Sequence, residues 1–326
     1  MAQIGLSLED LAGQNVLVTG ATGLVGSMLV RRLLQDSGNG CHVYAMARNK
    51  EQGSRIFAEY NANPYFNFIS QDITQPLSCS EDFHYIIHAA SGASPNAFVS
   101  MPVEVIKANV LGAINLLDYG RNHHLRRFLL ISSGEVYGES DVSVFTECDS
   151  GFVDTMSPRS CYPSSKRAAE TLCASYSQEY GVDCVVARLC HTYGRDFLPT
   201  DNRAYAQFFR AALRGEDIVL KSKGDNYRSW IYVKDAVEAI LIILLKGASS
   251  EAYNVADDSS NVTIRQFAET IANASGSRVV FELPDNDTSR QFSPIKRAVF
   301  DTTKIRQLGW TPKYNIQSAI AEIMKR

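Results

Sequence analysis

The sequence has little that would suggest a disulfide-stapled, membrane-bound or nucleic-acid-binding protein. Its seven cysteines are an odd number without a Cys-x-x-Cys pair, and Cys190-His191 is too small a cluster for a metal site. No apolar run reaches the roughly 18 residues that a membrane-spanning helix needs. The formal net charge of −3 gives no basic surface for nucleic acid or an anionic membrane. We therefore expect no metal, nucleic-acid or membrane partner.

The N-terminal stretch MAQIGLSLEDLAG also lacks the basic segment followed by an apolar segment that is typical of a secretory signal. Together with the cysteine pattern, this predicts a reduced, cytoplasmic protein. At roughly 150 residues per domain, the 326 residues are enough for two domains.

Short apolar runs rich in β-branched residues alternate with helical patterns in the first half of the chain. The predicted strands are Asn15–Thr19, His42–Ala47, Tyr85–His88, Arg127–Ile131 and Asp183–Arg188, and the predicted helices are Leu24–Gln35, Pro102–Arg121 and Tyr162–Tyr180. Such alternation requires crossover connections, which produce a parallel sheet covered by helices on both faces. The fold class is therefore predicted to be α/β, with a doubly wound parallel sheet.

The turn after the first strand reads Thr19-Gly20-Ala21-Thr22-Gly23-Leu24-Val25-Gly26. Glycines in a strand-turn-helix context allow a positive φ, a close approach to a pyrophosphate and tight packing of helix on strand. This context favours dinucleotide binding over a turn without a ligand. The candidate cofactor residues of the turn are Gly20, Thr22, Gly23, Leu24, Val25 and Gly26. We assign residues 1–195 to this Rossmann domain and residues 196–326 to a smaller α/β substrate-binding lobe, with some segments interleaved with the sheet.

Three further positions follow strand ends where a dinucleotide would lie. Arg48 follows the second strand, where an acidic residue would bind a ribose hydroxyl and an arginine would accommodate a 2′-phosphate. It favours NADP if it is not simply a solvated basic residue, so NAD and NADP both stay open. Asp72 and Ile73 are placed to meet the adenine, and the small residues Ala89, Ala90 and Ser91 follow the fourth strand.

The chemistry is predicted from Tyr162-Pro163-Ser164-Ser165-Lys166, in which a tyrosine and a lysine four residues apart share one helix face. A nearby ammonium and a cationic nicotinamide would favour the phenolate of Tyr162, which would then be a general base for an alcohol proton as hydride leaves the same carbon. Lys166 and Tyr162 would also contact the cofactor. At the end of the fifth strand, Ser133 is placed to hydrogen-bond the reacting hydroxyl and Glu135 to act as an acid or base, unless both only cap the strand.

Local basic residues would have to bind a phosphorylated ligand in a protein of this net charge. Arg228 and Arg297 are candidates for a diphosphate, because the planar guanidinium suits phosphate oxygens; surface solvation is the alternative for Arg297. Among the six histidines, only His191 follows a strand end that faces the predicted crevice.

With these elements, the sequence resembles the extended short-chain dehydrogenases/reductases of the NAD-dependent epimerase/dehydratase family, and within them the UDP-glucuronate decarboxylases. The resemblance runs from about residue 14 to Pro312. The similar stretches include 88–95, with Ser94, then 133–138, 161–173, 192–194, Asn202-Arg203 followed by Phe208, Gly224-Asp225 with Arg228, and 308–312.

The resemblance implies specific roles and a partner. Tyr162, Lys166, Ser133 and Glu135 would be catalytic, with Ser133 orienting the C4 hydroxyl of the sugar. Arg203 would lie near a uronate carboxylate, and Ser94, Glu135, His191, Arg203, Arg228 and Arg297 would form the substrate-binding set. The substrate would be a nucleotide sugar, the cofactor NAD, and the helices Pro102–Arg121 and Tyr162–Tyr180 would pair across a two-fold axis in a homodimer.

The sequence departs from the decarboxylases at four positions. Gly134 stands where they usually have serine, His191 where they have asparagine, Arg48 where they have an acidic residue, and Arg195 where they have proline. The redox residues are unaffected, but substrate identity and cofactor preference stay open. A 4,6-dehydratase or 4-epimerase is the first alternative, although some dehydratases place their acid at the position of Gly134. A non-catalytic NAD(P)-binding scaffold is the second alternative.

Overall fold

The computed structural model describes residues 8–35, 40–283 and 295–325, and residues 1–7 of the N-terminal stretch lie outside this part. Within it, a seven-stranded parallel sheet is flanked by helices on both faces, which confirms the predicted fold class. Its strands are β1 (Asn15–Thr19), β2 (His42–Ala47), β3 (Phe66–Ser70), β4 (Tyr85–His88), β5 (Arg127–Ser133), β6 (Cys184–Leu189) and β10 (Glu251–Val255). The helices are α1 (Leu24–Gln35), α2 (Lys50–Ile56), α3 (Pro95–Ser100), α4 (Pro102–Asn122), α5 (Cys161–Tyr180), α6 (Ala204–Arg214), α7 (Val233–Lys246), α8 (Ile264–Ser275), α9 (Thr303–Gln307) and α10 (Ile316–Met324).

The strand order of the large sheet is β10-β6-β5-β4-β1-β2-β3. The chain moves outward from β1 through β2 to β3, then returns to the other side of β1 with β4. The direction of winding therefore changes between β1 and β4, and in sheets of this kind the ligand crevice lies at that point, at the carboxyl ends of the strands. The segments that follow β1, β4, β5 and β6 meet at this edge.

Alternating side chains of the strands supply both layers of the core. On β1, Val16 and Val18 belong to one buried apolar cluster and Leu17 to the other. Helices α1 and α7 cover the first cluster, and α4 and α5 cover the second. Because successive strand residues point to opposite faces, the uninterrupted apolar runs of the sequence produce a sheet that is buried on both sides.

The second half of the chain adds two small sheets and also contributes to the large one. The strands of the small sheets are β7 (His191–Tyr193), β8 (Ile218–Leu220), β9 (Tyr227–Tyr232), β11 (Asp257–Thr263), β12 (Val279–Phe281) and β13 (Arg297–Ala298). Strand β9 pairs with β7, β11 and β13, and β8 pairs with β12. Because β10 and α7 belong to the large sheet and its cover, the chain crosses between the two regions after residue 195. No helix in the described ranges is both long enough and apolar enough to span a membrane.

A buried carboxylate attaches the C-terminal segment to α7. Asp235 is 2% exposed, and its two oxygens accept hydrogen bonds of 2.9 Å from the backbone N–H groups of Lys313 and Tyr314. Burial raises the pKa of Asp235 to about 6, although the two donors favour the charged form. This contact holds the segment that leads into α10 against the start of α7.

We predict that Asp235→Ala lowers the free energy of unfolding by about 2–4 kcal/mol, because two buried N–H groups lose their acceptor. Urea denaturation followed by far-UV circular dichroism measures the change. Glu269→Ala is the control, since this exposed carboxylate only pairs with Arg265 one helical turn away and should contribute about 0.5 kcal/mol or less. Equal losses in the two variants would contradict the assigned role of Asp235.

Candidate active site

The glycine-rich turn after β1 leaves no room for side chains at two of its glycines. Gly20 has a φ of +64°, and a Cβ there would lie 2.7 Å from the backbone nitrogen of Ala90. A Cβ on Gly26 would lie 2.3 Å from the carbonyl oxygen of Gly20. Gly23 is different, because only that same carbonyl oxygen, at 3.3 Å, lies within 4 Å of its Cβ position. Gly20 and Gly26 thus bring β1, α1 and the segment after β4 together, and open space remains beside Gly23.

The N-terminus of α1 begins directly behind this open space. The first turn of α1 holds no acidic residue, so its free N–H groups are not neutralised by a local carboxylate. Leu24 is buried, whereas Thr22 and Val25 are half-buried. The residues expected to hold a pyrophosphate are therefore brought together at one helix N-terminus.

The predicted adenosine end of the crevice is open and carries two basic residues. Arg48 and Lys50 line a cavity of about 500 Å³ together with Asn49, Glu51 and Ser70. The Arg48 side chain is 78% exposed, and its guanidinium lies 3.9 Å from the Asp72 carboxylate. The backbone N–H of Thr74 donates to Asp72 and holds the pKa of that carboxyl below its usual range. The structure thus brings Arg48 and Asp72 to the same end of the crevice, where either could meet a ribose.

A buried hydroxyl lies on the segment that follows β4. The Oγ atom of Ser91 is buried and has no hydrogen-bond partner among the described residues. It follows Ala89 and Ala90, whose small side chains leave the segment after β4 close to Gly20. Ile73 is buried, and its carbonyl accepts a bond of 2.9 Å from Asn115, which fixes the segment after β3. Ser91 and the open side of Gly23 thus fit a bound dinucleotide.

Tyr162 lies in the first turn of α5, with its phenol against Ser133. Burial raises the pKa of Tyr162 to about 12, and the charge of Glu135 adds to this effect. The hydrogen bond with Ser133 and the charges of Arg203 and Arg159 oppose it. These residues by themselves favour the phenol form, because desolvation outweighs the nearby cations. The expected phenolate depends on a cationic nicotinamide beside the ring.

Lys166 is one turn further along α5 and is 2% exposed. Its Nζ atom donates a hydrogen bond of 2.8 Å to the carbonyl of Ile131 and lies 5.9 Å from the centre of the Tyr162 ring. Burial lowers the pKa of Lys166 to about 8, although the Glu170 carboxylate opposes this effect. The expected Tyr162 and Lys166 pair is thus formed, with the ammonium beneath the phenol ring.

Arg159, which no sequence motif indicated, holds the carboxylate of Glu135. The guanidinium of Arg159 donates two hydrogen bonds of 2.9 Å, one to each carboxylate oxygen of Glu135. Arg159 also lies 4.5 Å from the centre of the Phe98 ring, and Phe98 stacks on Tyr162 at 4.7 Å. Its position three residues before Tyr162 was the available signal. Glu135 is therefore oriented by two parallel charge-assisted bonds.

Among the proposed substrate residues, His191 lies within electrostatic range of Arg203 and Arg228, and Arg203 also acts on Tyr162. Arg203 precedes α6 and pairs with Asp201 at 2.6 Å, so its charge is balanced. Arg228 is buried on β9 and donates to the carbonyls of Tyr227 and Ile295. Burial lowers the pKa of Arg228 to about 10, and the Glu135 charge opposes this effect.

His191 is exposed to solvent, although its ring packs against Trp230. Desolvation, together with the charges of Arg228 and Arg203, lowers its pKa to about 3. Nearby, the buried side-chain oxygen of Asn202 has no partner among the described residues. These residues thus combine cations with one polar oxygen left unsatisfied by the described residues.

Two further predicted substrate residues have contacts of their own. Ser94 caps α3 by accepting a bond of 3.3 Å from the N–H of Ala97. Arg297 is exposed on β13, donates to the Ser143 carbonyl at 2.8 Å and stacks over Tyr227. Strand pairing of β13 with β9 sets Arg297 beside Tyr227 and Ala298 beside Arg228. Arg297 thus lies on the strand next to Arg228, with its guanidinium engaged by a loop.

Steric exclusion explains why position 134 is a glycine. A Cβ at this position would lie 1.9 Å from the Cζ atom of Phe300. Phe300 is buried, packs edge-on against Tyr137, and its N–H donates to Ser229 at 3.1 Å. The ring of Phe300 therefore occupies the space that a side chain between Ser133 and Glu135 would need.

Comparison with known proteins agrees with this geometry. A family model described as the NAD dependent epimerase/dehydratase family matches residues 16–256. UDP-glucuronic acid decarboxylase 6 of Arabidopsis thaliana is 34% identical over 313 residues, which cover 95% of this chain and 87% of the relative. The resemblance found in the sequence is thereby confirmed.

Solved structures share the fold. The dTDP-glucose 4,6-dehydratase of Bacillus anthracis in complex with NAD has a TM-score of 0.80 at 23% identity, covering 95% of each chain. The UDP-glucose 4-epimerase of Thermotoga maritima with UDP-glucose also has a TM-score of 0.80, at 24% identity, covering 95% of this chain and 97% of the epimerase.

We predict that Gly134→Ser lowers stability by about 1–3 kcal/mol, because the new side chain overpacks against Phe300. Thermal unfolding of the purified variant measures the loss. Phe300→Leu should lower stability less in the Gly134→Ser variant than in the parent protein. The reason is that the smaller leucine makes room for the serine. Additive losses in the double variant would show that the two positions do not compete for space.

Proposed function

Because the chain belongs to the NAD-dependent epimerase/dehydratase family, we propose that it decarboxylates a nucleotide-linked uronic acid after transient oxidation at C4. The observation that carries this proposal is the position of Tyr162, Ser133 and Lys166 beside a Glu135 carboxylate that Arg159 holds by two bonds. The decarboxylase relatives, which align over 95% of the chain, favour a uronate among the sugars that this family handles.

The cofactor in this proposal is NAD. Gly20, Gly23 and the start of α1 would hold its diphosphate, and Asp72 and Ile73 its adenosine. Ser91, Tyr162 and Lys166 would contact the nicotinamide end. Bound NAD supplies an acceptor that takes a hydride from C4 and later returns it. Arg48 would also accommodate the 2′-phosphate of NADP, and the nucleotide released by denaturing the purified protein distinguishes the two.

Tyr162 would remove the proton of the C4 hydroxyl, with Ser133 orienting that hydroxyl. The C4 ketone makes the C6 carboxylate that of a β-keto acid, so breaking the C5–C6 bond releases CO2 and leaves its electron pair in an enolate. A proton delivered to C5, hydride return to C4 and return of the proton from Tyr162 to the C4 oxygen complete the pentose. Glu135 would act in positioning the ring or in handling the proton, and its pairing with Arg159 limits repulsion of the substrate carboxylate.

The charge balance of the crevice supports an anionic substrate. Arg159 pairs with Glu135 and Arg203 with Asp201. Arg228 forms no ion pair within the described residues and lies within the electrostatic range of Glu135. A buried guanidinium whose hydrogen bonds go to neutral carbonyls leaves a net positive charge. We propose that Arg228 meets the diphosphate, with Arg203 and His191 nearer the sugar.

The protein is also proposed to act in the cytoplasm as a homodimer. All seven cysteines are free, which suits a reducing compartment. On the outer face of α4, Val103, Ile106 and Leu111 are exposed, and burial of this apolar surface against α4 and α5 of a second copy would form a four-helix contact.

The function is tested by incubating the protein with UDP-glucuronate and, separately, with UDP-, CDP- and dTDP-hexoses, and by following the products by NMR. We expect CO2 and a UDP-pentose from UDP-glucuronate, and a rate lowered by about 10²–10⁴-fold in Tyr162→Phe, which lacks the general base. Tyr176→Phe is the control, since it removes the same hydroxyl from the same helix at a contact with Asp118.

A 4-keto-6-deoxy sugar formed from a hexose would instead support a dehydratase, and an inverted C4 would support an epimerase. Absence of turnover with every sugar would contradict all three enzyme activities for these substrates. Full biological activity of Tyr162→Phe would support the non-catalytic scaffold.

We predict opposite pH shifts for the two members of the Glu135 and Arg159 pair. The rate of nicotinamide reduction in a single turnover should rise with pH as Tyr162 loses its proton. Glu135 raises the pKa of Tyr162 and Arg159 lowers it. Glu135→Gln should therefore move the rise to lower pH, and Arg159→Gln to higher pH. Stopped-flow absorbance of the reduced nicotinamide measures both profiles, and a shift of both variants in one direction would contradict the electrostatic assignment.

A further inference from the structure

A group of buried polar side chains lies between the predicted cofactor segment after β4 and the catalytic helix α5. Thr19, His88, Asn109, Ser165 and Lys166 are each between 0% and 2% exposed. They come from β1, β4, α4 and α5, which converge behind Tyr162. Buried polar groups require partners, and the hydrogen bonds of this group follow one direction.

One tautomer of His88 gives every donor in the first half of the group an acceptor. The backbone N–H of Ala90 donates to Oγ1 of Thr19 at 3.3 Å. The Thr19 hydroxyl, 2.8 Å from Nδ1 of His88, is then free to donate its own proton to that nitrogen. A neutral imidazole that accepts at Nδ1 carries its proton on Nε2. His88 is thus left with a donor that points away from Thr19.

The second half of the group ends at the catalytic tyrosine. The side-chain N–H of Asn109 donates to Oγ of Ser165 at 2.9 Å. The hydroxyl of Ser165 in turn donates to the carbonyl of Tyr162 at 3.1 Å. Because the nitrogen of the Asn109 amide is used in this way, its oxygen is left as an acceptor.

The free donor and the free acceptor belong to residues on elements that contact each other, His88 on β4 and Asn109 on α4. Nε2 of His88 and Oδ1 of Asn109 are both buried without a hydrogen-bond partner in the described residues. Asn109 precedes Gly112 by one turn on the same face of α4, and a Cβ on Gly112 would lie 3.3 Å from Cε1 of His88. One of the two unsatisfied atoms is a donor and the other an acceptor. Each lowers the stability of the fold while it is buried without a hydrogen bond.

We propose that His88 is a positioning residue, whose Nε2–H donates through one buried water to Oδ1 of Asn109. The connection completes a hydrogen-bonded chain from the N–H of Ala90, through Thr19, His88, Asn109 and Ser165, to the carbonyl of Tyr162. It fixes the first turn of α5 relative to the segment after β4, and so fixes Tyr162 relative to the cofactor track. A water at this place would have the polar partners that buried waters require.

The charge state of His88 agrees with this role. Burial and the ammonium of Lys166 on α5 lower the pKa of His88 to about 3. Thr19 on β1 and Asn109 on α4 are uncharged, and Phe128 on β5 lies beside the imidazole ring. His88 therefore keeps one donor and one acceptor over the working pH range, as the chain requires.

NMR of protein containing isotope-labelled histidine tests the tautomer without any assumption about the reaction. We expect His88 to be the neutral Nε2–H form at neutral pH and at about pH 5, with a nitrogen resonance that shifts in Asn109→Leu. An Nδ1–H tautomer, protonation near the ordinary histidine pKa, or a resonance unaffected by Asn109→Leu would overturn the proposal.

Steady-state kinetics test the positioning role of His88. This test rests on the proposed function, because it needs a substrate that the protein turns over. His88→Phe and Asn109→Leu should each lower kcat by about three- to tenfold, the value of one net hydrogen bond, with KM unchanged. The double variant should lose no more of kcat than the less active single variant, because both substitutions break the same hydrogen-bonded chain. His88→Gln, which keeps a donor near the Nε2 position, should recover part of kcat.

Additive losses, or a change in KM alone, would overturn the positioning role. Thr302→Val is the control, since it removes an equally buried hydroxyl that contacts Asp258 and should leave kcat unchanged. If the parent protein turns over no sugar, the proposed function fails, while the NMR result still decides the tautomer and the connection to Asn109.

Discussion

The close approach of the first βα turn to the segment after β4 is the constraint on which the rest of the site depends. The backbone of Ala90 occupies the place where a Cβ on Gly20 would be, so β1 and β4 can only be neighbours at this distance if position 20 has no side chain. The pairing of β1 with β4 is the point where the winding direction of the sheet changes, and the crevice lies at that point. Thr19 reaches both His88 and Ala90 because of the same approach.

Burial and charge compete at the catalytic residues, and burial is the larger effect. Desolvation raises the pKa of Tyr162 and lowers that of Lys166, which opposes the separation of charge that proton abstraction needs. Arg159 and Arg203 act on Tyr162 in the opposite direction to Glu135. Arg159 and Glu135 are bonded to each other and act on the phenol in opposite directions, and the effect of Glu135 is the larger of the two.

The fold could be predicted from the sequence because it depends on local patterns. The bounds of β1, β2, β4 and α1 agree with the prediction, and β5 continues two residues further, to Ser133. Apolar periodicity and glycine spacing are sufficient for such elements. The position of Ser133 followed from a strand end in a parallel sheet, and that of Tyr162 from its four-residue spacing to Lys166 on one helix face. Arg159 and Phe98 could not be predicted this way, because α3 meets the turn before α5 only in the folded chain.

The sequence by itself determined the type of fold, the dinucleotide turn and the chemical groups available at the carboxyl ends of the strands. Tertiary structure alone decided which charges are paired: Arg159 is used by Glu135 and Arg203 by Asp201, whereas Arg228 is buried against neutral carbonyls. It also decided why position 134 is glycine, since Phe300 arrives from a strand connection more than 150 residues away. Local patterns depend on neighbours along the chain, but pairing, desolvation and steric exclusion depend on distances that exist only after the chain has folded.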